Sequence, residues 1–317
     1  MNERTQPAGR ARWPLVSVLI PAFNHERFVQ RCLDSVLEDP YPCKEIVIID
    51  DGSSDATGEK IAQWIGAHGH RLPVQFVQRA NRGVTATLNE AARCARGEYL
   101  RIVASDDYLI RDGIGRQVAY LEGNLRKSAV IGDAIVVDAD GRQLHQSAMR
   151  DLHLANQKLY ESDAGIRRAV ISEWAVSGAV MMLRRSAFDK GMTWDETLKI
   201  EDWDFFLRLV ARDHLGFIDV VVCAYRLHET NVSKTRDVQR RLENLSEFAR
   251  VAARSCDLFT DADLKMLRAK LSLIRAKISF LQKSYLAVVW HLVAYSARNF
   301  IALCGSKKGA SKAGVLG

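Results

Sequence analysis

The sequence predicts an α/β fold: a doubly wound, mostly parallel β-sheet followed by a C-terminal helical extension. Short apolar runs rich in β-branched residues alternate with helical segments over about the first hundred residues, an order typical of a parallel sheet. These runs are largely apolar, as expected of strands covered by helices on both faces. Beyond Arg236 the pattern becomes helical throughout.

The first half of the chain consists of alternating strands and helices. Strands are expected at residues 15–21, 44–50, 74–78 and 99–104, and helices at residues 28–37, 57–65 and 84–95. Asn24, which follows the first strand, has a side chain suited to cap the first helix. Because ligands bind beyond the carboxyl ends of parallel strands, the acidic clusters after the second and fourth strands are expected at the ligand-binding edge.

The second half has a mixed pattern. Further strands are expected at residues 130–137 and 217–225, a hairpin turn at 138–141, an apolar run at 175–183 and a helix at 201–212. Six cysteines are scattered without CxxC spacing, which argues against a zinc site or a redox dithiol and fits a reducing cytosol. The polar N-terminus shows no apolar leader segment, so a cytoplasmic protein is expected.

The positive charge is concentrated near the C-terminus. The net charge is +7, and residues 236–317 contain 15 Lys and Arg against six Asp and Glu. Such a segment suits either an anionic partner, phospholipid or nucleic acid, or a solvated helical surface. A nucleic-acid binder would carry exposed aromatic residues among its cations, whereas the aromatic residues here lie in apolar runs, so no nucleic-acid partner is expected.

Two acidic turns carry the candidate chemistry. Asp50 and Asp51 follow the second strand, where a carboxylate can accept a hydrogen bond from a base or a ribose. Alternatively, Ser53, Ser54 or Asp55 could cap the next helix without any ligand. Asp106 and Asp107 follow the fourth strand, and adjacent carboxylates repel each other unless a cation neutralises them. Mg²⁺ or Mn²⁺ would suit such oxygen ligands and bridge a diphosphate, whereas the alternative is a solvated acidic loop.

Three further groups are weaker candidates. Asp202, with Glu201 beside it, opens a helix, where a carboxylate serves either as a general base or as a favourable charge at the helix start. Arg226 and His228 lie on the same side of an extended segment and could meet phosphate or metal. Arg79 or Arg82, before another helix, could also meet phosphate, although a lone His is more often structural than a ligand.

Taken together, these segments resemble the family 2 glycosyltransferases of the GT-A fold. The matching segments are residues 16–24, 45–57, 81–109, 200–209 and 225–233, with the region of Ser177 and Gly178 between them. Their order and spacing agree over residues 14–235, about seventy per cent of the chain, and several ordered motifs are more specific than any one of them. No G-x-G-x-x-G follows the first strand, which disfavours a dinucleotide-dependent oxidoreductase.

The resemblance implies a role for each matched residue. Asp51 would recognise a uracil or thymine base, Asp106 would hold the metal and diphosphate, and Asp202 would be the catalytic base. The implied nucleotide-binding residues are Pro21, Ala22, Phe23, Asn24, Asp50, Asp51, Arg82, Gly83, Ser105 and Asp106; the implied metal ligands are Asp106, Asp107 and His228; and the implied catalytic residues are Asp202 and Glu201. Ala104 departs from the family pattern, which often has an acid there that touches ribose and the surroundings of the metal.

The resemblance also implies a reaction and a domain organisation. The expected enzyme is inverting and moves a sugar from a UDP- or dTDP-type donor to a hydroxyl of a glycan or lipid-linked acceptor, in cell-surface glycan or polysaccharide synthesis. A non-catalytic sugar-nucleotide-binding or scaffold protein of the same fold is the alternative. The expected parts are a polar tail at 1–13, a GT-A domain at 14–235 divided near 115 into nucleotide-binding and acceptor halves, a helical region at 236–304 and a flexible tail at 305–317.

The C-terminal helices allow two interpretations. Residues 264–281 place apolar side chains at helical spacing with Lys and Arg between them, and residues 285–303 are nearly apolar but are interrupted by His291, Arg298 and Asn299. A basic helix containing aromatic residues suits the membrane surface better than a span, at the inner face of the membrane. Alternatively, the helices pack on the catalytic domain or on a second copy in a homo-oligomer.

Overall fold

The computed structural model describes residues 13–173, 175, 178–199, 201–229 and 237–310, with the backbone alone for Glu201 and residues 298–310. Most of the predicted N-terminal tail, residues 1–12, therefore lies outside the described residues, as do residues 311–317 of the predicted C-terminal tail. Ser177, Ile200 and residues 230–233 of the matched motifs also lie outside them.

The first half of the chain follows the predicted alternation of strands and helices. It comprises β1 (Val16–Ala22), α1 (Val29–Glu38), β2 (Lys44–Asp50), α2 (Thr57–His68), β3 (Val74–Gln78), α3 (Val84–Cys94) and β4 (Tyr99–Ile102). Strands β1, β2 and β4 are almost wholly buried, in agreement with their apolar sequences. Helix α1 buries Val29, Cys32, Leu33 and Val36 at the spacing of an amphipathic helix.

The second half adds strands of both directions. It comprises β5 (Tyr108–Leu109), α4 (Gly113–Gly123), β6 (Ala129–Val137), β7 (Gln143–His145), α5 (Asp163–Ser172), β8 (Met181–Arg184), α6 (Arg185–Asp189), α7 (Glu201–Val210) and β9 (Leu215–Arg226). The predicted hairpin turn joins β6 to β7, where the Asp138 carboxylate accepts from the backbone amides of Asp140 and Arg142, both at 2.9 Å. In the apolar run at 175–183, residues 181–183 belong to β8.

All nine strands of the described residues form one mixed sheet in the order β3-β2-β1-β4-β8-β6-β9-β5, with β7 paired to β6. Strands β1 to β4 pair in parallel, β8 is antiparallel to both β4 and β6, and β6 pairs in parallel with β9. Six of the described strands, β1 to β4, β6 and β9, therefore point the same way. Their carboxyl ends meet at one edge, which carries the candidate site.

Helix α7 is anchored deep in the core. Trp203, Phe205 and Phe206 are among its largest fully buried side chains. The Trp203 indole also donates a hydrogen bond to the carbonyl of Val170 at 2.8 Å, which satisfies its polar atom inside the core. The helix start that carries Asp202 is therefore held in a fixed position.

Three helices follow the sheet: α8 (Val238–Arg254), α9 (Asp261–Leu281) and α10 (Tyr285–Ala310). Helix α9 packs against α5, α8 and α10. Helix α10 continues to Ala310, beyond position 304 where the sequence pattern places the end of the helical region. Among the described helices, none combines the length and apolarity that a membrane span needs.

Candidate functional site

The two carboxylates of the turn after β2 have different hydrogen-bond partners. The fully buried Asp50 accepts from the backbone amide of Ser53 at 3.0 Å, from the Ser53 hydroxyl at 2.5 Å and from the Gln78 amide at 3.0 Å. These bonds make Asp50 part of the hydrogen bonding of the turn.

Asp51 organises the loop after β3. Its carboxylate accepts from the backbone amides of Arg82 and Gly83, each at 2.8 Å, and forms an ion pair with Arg79. The side chain is buried, so the Arg79 charge offsets the cost of burying the carboxylate. Arg82 and Gly83, predicted as nucleotide-binding residues, thus meet Asp51 through their backbone.

Gly52 fixes the spacing between these two loops. Its φ is +78°, a conformation that favours glycine, and a Cβ at this position would lie 2.7 Å from the backbone nitrogen of Asn81. Only glycine lets the turn after β2 and the loop after β3 approach this closely.

The loop after β1 completes this side of the site. The Ala22 carbonyl accepts from the Asp51 amide at 2.8 Å, so the ends of β1 and β2 are joined directly. The predicted cap role of Asn24 is wrong: its side-chain oxygen accepts from the Ser54 amide at 2.8 Å, and α1 begins only at Val29. Phe23 is 45% exposed beside this junction, whereas Pro21 is half-buried within β1.

The second acidic turn lies within a cluster of possible metal ligands. Asp106 Oδ2 is 2.9 Å from His228 Nε2 and 3.7 Å from His25 Nε2. One ligand atom from each of the three side chains lies within 4.8 Å of the others. The structure therefore brings together the predicted Asp106 and His228 and adds His25, which sequence reasoning did not single out.

Neighbouring residues orient both histidines. The hydroxyl of the buried Ser105 is 2.8 Å from His25 Nδ1, which leaves Nε2 of that ring on the side of Asp106. The His228 ring packs against Phe28, with ring centroids 5.0 Å apart. Burial lowers the pKa of His25, which favours the neutral imidazole that metal binding requires.

Asp106 and its neighbour Asp107 occupy different surroundings. Burial acts to raise the pKa of Asp106, but the hydrogen bond and charge of His228, together with the charge of His25, bring it below its ordinary value. Burial and then the charge of Asp106 raise the pKa of Asp107. Asp107 accepts from the Arg226 backbone amide at 2.8 Å and lies outside the His25, Asp106 and His228 cluster.

Arg226 joins three strand ends. Its Nε donates to the Asp106 carbonyl at 2.8 Å, and its Nη1 donates to the carbonyls of Asp138 and Ala139 at 2.9 and 3.1 Å. The guanidinium also lies over the Phe28 ring, 4.8 Å from the centroid. This buried arginine therefore holds together the backbone segments next to the candidate site.

The donor set is chemically suited to a divalent transition metal. Two imidazole nitrogens and one carboxylate oxygen suit Mn²⁺ better than Mg²⁺, which prefers oxygen ligands. The lowered pKa of Asp106 keeps its carboxylate ionised for such a cation. The cluster could therefore hold either predicted cation, and its two imidazoles favour Mn²⁺ over Mg²⁺.

The predicted catalytic residues lie at the start of α7. Asp202 is its second residue and is half-buried, next to the anchored Trp203. Glu201 begins the helix, and its side chain lies outside the described residues.

The chain is similar in sequence to known proteins. The sequence profile described as "Glycosyl transferase family 2" matches residues 17–192. The chain is 25% identical over 241 residues to a chondroitin synthase of Escherichia coli, a match that covers 75% of this chain and 33% of that protein. The chain thus spans no more than about a third of the length of the first curated relatives that it matches.

Two solved structures share the fold. A structure of Staphylococcus aureus TarS residues 1–349 in complex with UDP-GlcNAc is 17% identical, with a TM-score of 0.58 over 93% of this chain and 92% of that one. Mannosyltransferase PcManGT from Pyrobaculum calidifontis, in complex with GDP-Man and Mn²⁺, is 18% identical, with a TM-score of 0.62 over 95% of this chain and 81% of that one. The predicted α/β fold class of the GT-A type is confirmed.

Proposed function

The chain belongs to glycosyl transferase family 2, and we propose that this glycosyltransferase moves a sugar from a UDP- or dTDP-type donor to a hydroxyl acceptor with inversion at the anomeric carbon. The observation that carries the proposal is the convergence of Asp51, Asp106 and His228 at one edge of the sheet. A donor across this edge would have its base near Asp51 and its diphosphate near Asp106.

Asp51 is proposed to recognise the base. Its Oδ2 accepts from the Gly83 amide, and a carboxylate oxygen has capacity for a second hydrogen bond. Uracil and thymine both present an imide N–H that could be that second donor. The exposed Phe23, beside the junction of Ala22 and Asp51, would offer its ring to the nucleoside.

Asp106, His228 and His25 are proposed to hold Mn²⁺ or Mg²⁺, with Mn²⁺ favoured by the two imidazoles. A cation there would neutralise the charge that develops on the departing nucleoside diphosphate. Ala104 stands where many family members have a further acid, and His25 supplies a third donor atom close to Asp106.

Asp202 is proposed as the general base. The acceptor hydroxyl must lose a proton as it attacks the anomeric carbon, and a carboxylate within hydrogen-bond reach can take that proton. The buried neighbours of Asp202 on α7 support this role because they fix the helix on which the carboxylate is carried.

The acceptor is proposed to be a growing glycan or a lipid-linked sugar, with the enzyme at the inner face of the membrane. The likeness to a chondroitin synthase supports a role in polysaccharide synthesis, and the basic C-terminal helices support peripheral membrane contact. Self-association of the chain is compatible with the same reaction.

A screen of nucleotide sugars with an Asp202→Asn variant tests the enzyme role. Wild-type protein should release nucleoside diphosphate from a stabilising donor in the presence of a glycan acceptor, whereas Asp202→Asn should bind that donor equally well and lose turnover by about a hundredfold or more. Equal turnover by the variant would remove Asp202 from the mechanism. Donor binding without turnover by either protein would instead favour the non-catalytic alternative.

A further inference from the structure

Helix α10 presents an apolar face that packs on nothing in the described part of the chain. Leu286 is 90% exposed and Trp290 is 71% exposed, and Val289 and Val293 are also largely exposed. These four residues recur at the i, i+3, i+4 and i+7 spacing that places side chains along one helix face. We call this set the outer face of α10.

The opposite side of α10 packs on α9. Its half-buried residues, Ala287, Val288, His291, Ala294 and Tyr295, have the same helical spacing but lie around the helix from the outer face. The exposed rings of Phe280 and Tyr285, whose centroids are 6.5 Å apart, extend the apolar surface across the turn between the two helices. An exposed patch of this kind marks an interaction surface.

The stretch of sequence that contains this patch has basic but no acidic residues. Residues 264–317 contain ten Lys and Arg residues and lack Asp and Glu. Lys277 precedes Phe280 by three residues on the same helix, so both side chains share a face, and Lys283 is exposed in the turn that follows. Aromatic and aliphatic side chains bordered by Lys and Arg are the composition of helices that lie in a membrane interface.

This charge distribution indicates which kind of partner can bind to the outer face of α10. A second copy on the same face would bring two cationic segments together without a compensating acid in either, which disfavours self-association there. An anionic lipid surface attracts the cations while its hydrocarbon boundary accepts the outer face.

We propose that the outer face of α10, together with Phe280, Tyr285, Lys277 and Lys283, docks on the surface of an anionic bilayer. The proposal rests on the membrane contact proposed above and specifies the surface that makes it. The docked helices would keep a fixed position relative to the rest of the protein, because hydrogen bonds join α9 to α5. Arg167 donates to Asp263 at 2.7 Å, and Lys270 donates to the Ser172 carbonyl at 2.8 Å.

Vesicle flotation with the full chain tests this surface. Wild-type protein should float with phosphatidylcholine vesicles that contain phosphatidylglycerol, and Leu286→Ser/Trp290→Ser should lose at least about tenfold in partitioning because apolar burial drives interfacial binding. Leu125→Ser, which changes another highly exposed leucine far along the chain from α10, is the matched control and should float like wild type.

The charge requirement is tested in the same assay. Lys277→Glu/Lys283→Glu should weaken flotation severalfold, whereas Arg71→Glu/Lys190→Glu, with the same charge change at exposed positions elsewhere, should weaken it less. Equal flotation with phosphatidylcholine alone would overturn the requirement for anionic lipid.

Two further outcomes overturn the proposal in distinguishable ways. If wild type floats and Leu286→Ser/Trp290→Ser floats equally well, membrane contact stands and the outer face of α10 is not its site. If sedimentation without vesicles shows a dimer that the same variant abolishes, the face binds a second copy. Nucleotide-sugar stabilisation of each variant, which the substitutions should leave unchanged, separates these outcomes from a failure of the transferase proposal.

Discussion

Single residues at the two acidic turns show how close neighbours in sequence have different surroundings. Asp50 and Asp107 accept hydrogen bonds that hold the fold together. Asp51 accepts from the backbone amides of the loop after β3, and Asp106 lies beside two imidazoles. The chemistry therefore depends on the direction of each side chain at a strand end.

His25 provides a prediction for the cation site. His25→Ala should weaken Mn²⁺ binding by at least about tenfold, because it removes a donor atom from the cluster, and Ser105→Ala should cause a smaller loss by releasing the orientation of that ring. Electron paramagnetic resonance titration of Mn²⁺ measures this without turnover.

His214→Ala serves as the control for this experiment. His214 lies beside Ser128, outside the cluster of His25, Asp106 and His228, and its removal should leave Mn²⁺ affinity unchanged. Equal Mn²⁺ affinity for wild type and His25→Ala would remove His25 from the site.

Asp39 provides a prediction about stability and pH. Burial raises the pKa of Asp39 in the folded protein, and the backbone amides of Tyr41 and Ile114 and the charge of Lys44 oppose this only in part. The stability that the neutral carboxyl contributes is present below the unfolded pKa of about 3.9 and is lost as the pH rises through the folded value. Asp39→Asn should therefore melt a few degrees above wild type at neutral pH and close to it near pH 3.

Thermal unfolding as a function of pH measures this difference. Asp219→Asn, which removes the same charge from an exposed position on β9, should show little change. A neutral-pH melting temperature of Asp39→Asn at or below that of wild type would contradict the argument.

At the scale of elements, α8 braces the segment that leads into α7. Arg254 donates to Asp204 at 2.5 Å and to Asp195 at 2.6 Å, and the Glu247 carboxylate accepts from the Lys199 amide at 2.6 Å. Since α7 also carries Asp202, a helix outside the sheet helps to position the proposed base.

Arg254→Met should lower kcat by roughly ten- to a hundredfold because a small displacement of the base is costly. The affinity for the donor should stay unchanged, because the donor residues lie at the strand ends. Arg254→Lys should restore part of the rate, and Arg241→Met, an exposed position on the same helix, should behave like wild type. A loss of donor affinity that matches the loss of kcat would argue for general misfolding instead.

Some elements of the fold can be predicted from the sequence, and others cannot. The strands β1 to β4 are readable because each is a short run rich in apolar and β-branched residues. Asp51, Asp106 and His228 are predicted from their places in ordered motifs, and the structure brings Asp106 and His228 together. The short β5 is not readable, because a two-residue strand has no period. The sequence does not reveal the role of His25, because its partners Ser105, Asp106 and His228 are distant in sequence. The order of the strands in the sheet brings these residues next to His25.

At the scale of the whole molecule, one mixed sheet collects the candidate residues at a single edge. The parallel half supplies Asp51 and Asp106, and β9 brings Arg226 and His228 alongside them across a strand order that the sequence does not reveal. The C-terminal helices add a brace for α7 on one side and, as proposed, a lipid-facing surface on the other.

Calorimetric titration of UDP- and dTDP-sugars tests whether this edge binds a nucleotide sugar through a cation held at Asp106. Wild type should bind at least one such donor in Mn²⁺, and the affinity should fall by about tenfold or more in EDTA or in Asp106→Asn. Binding of equal affinity in EDTA and in Asp106→Asn would contradict the account.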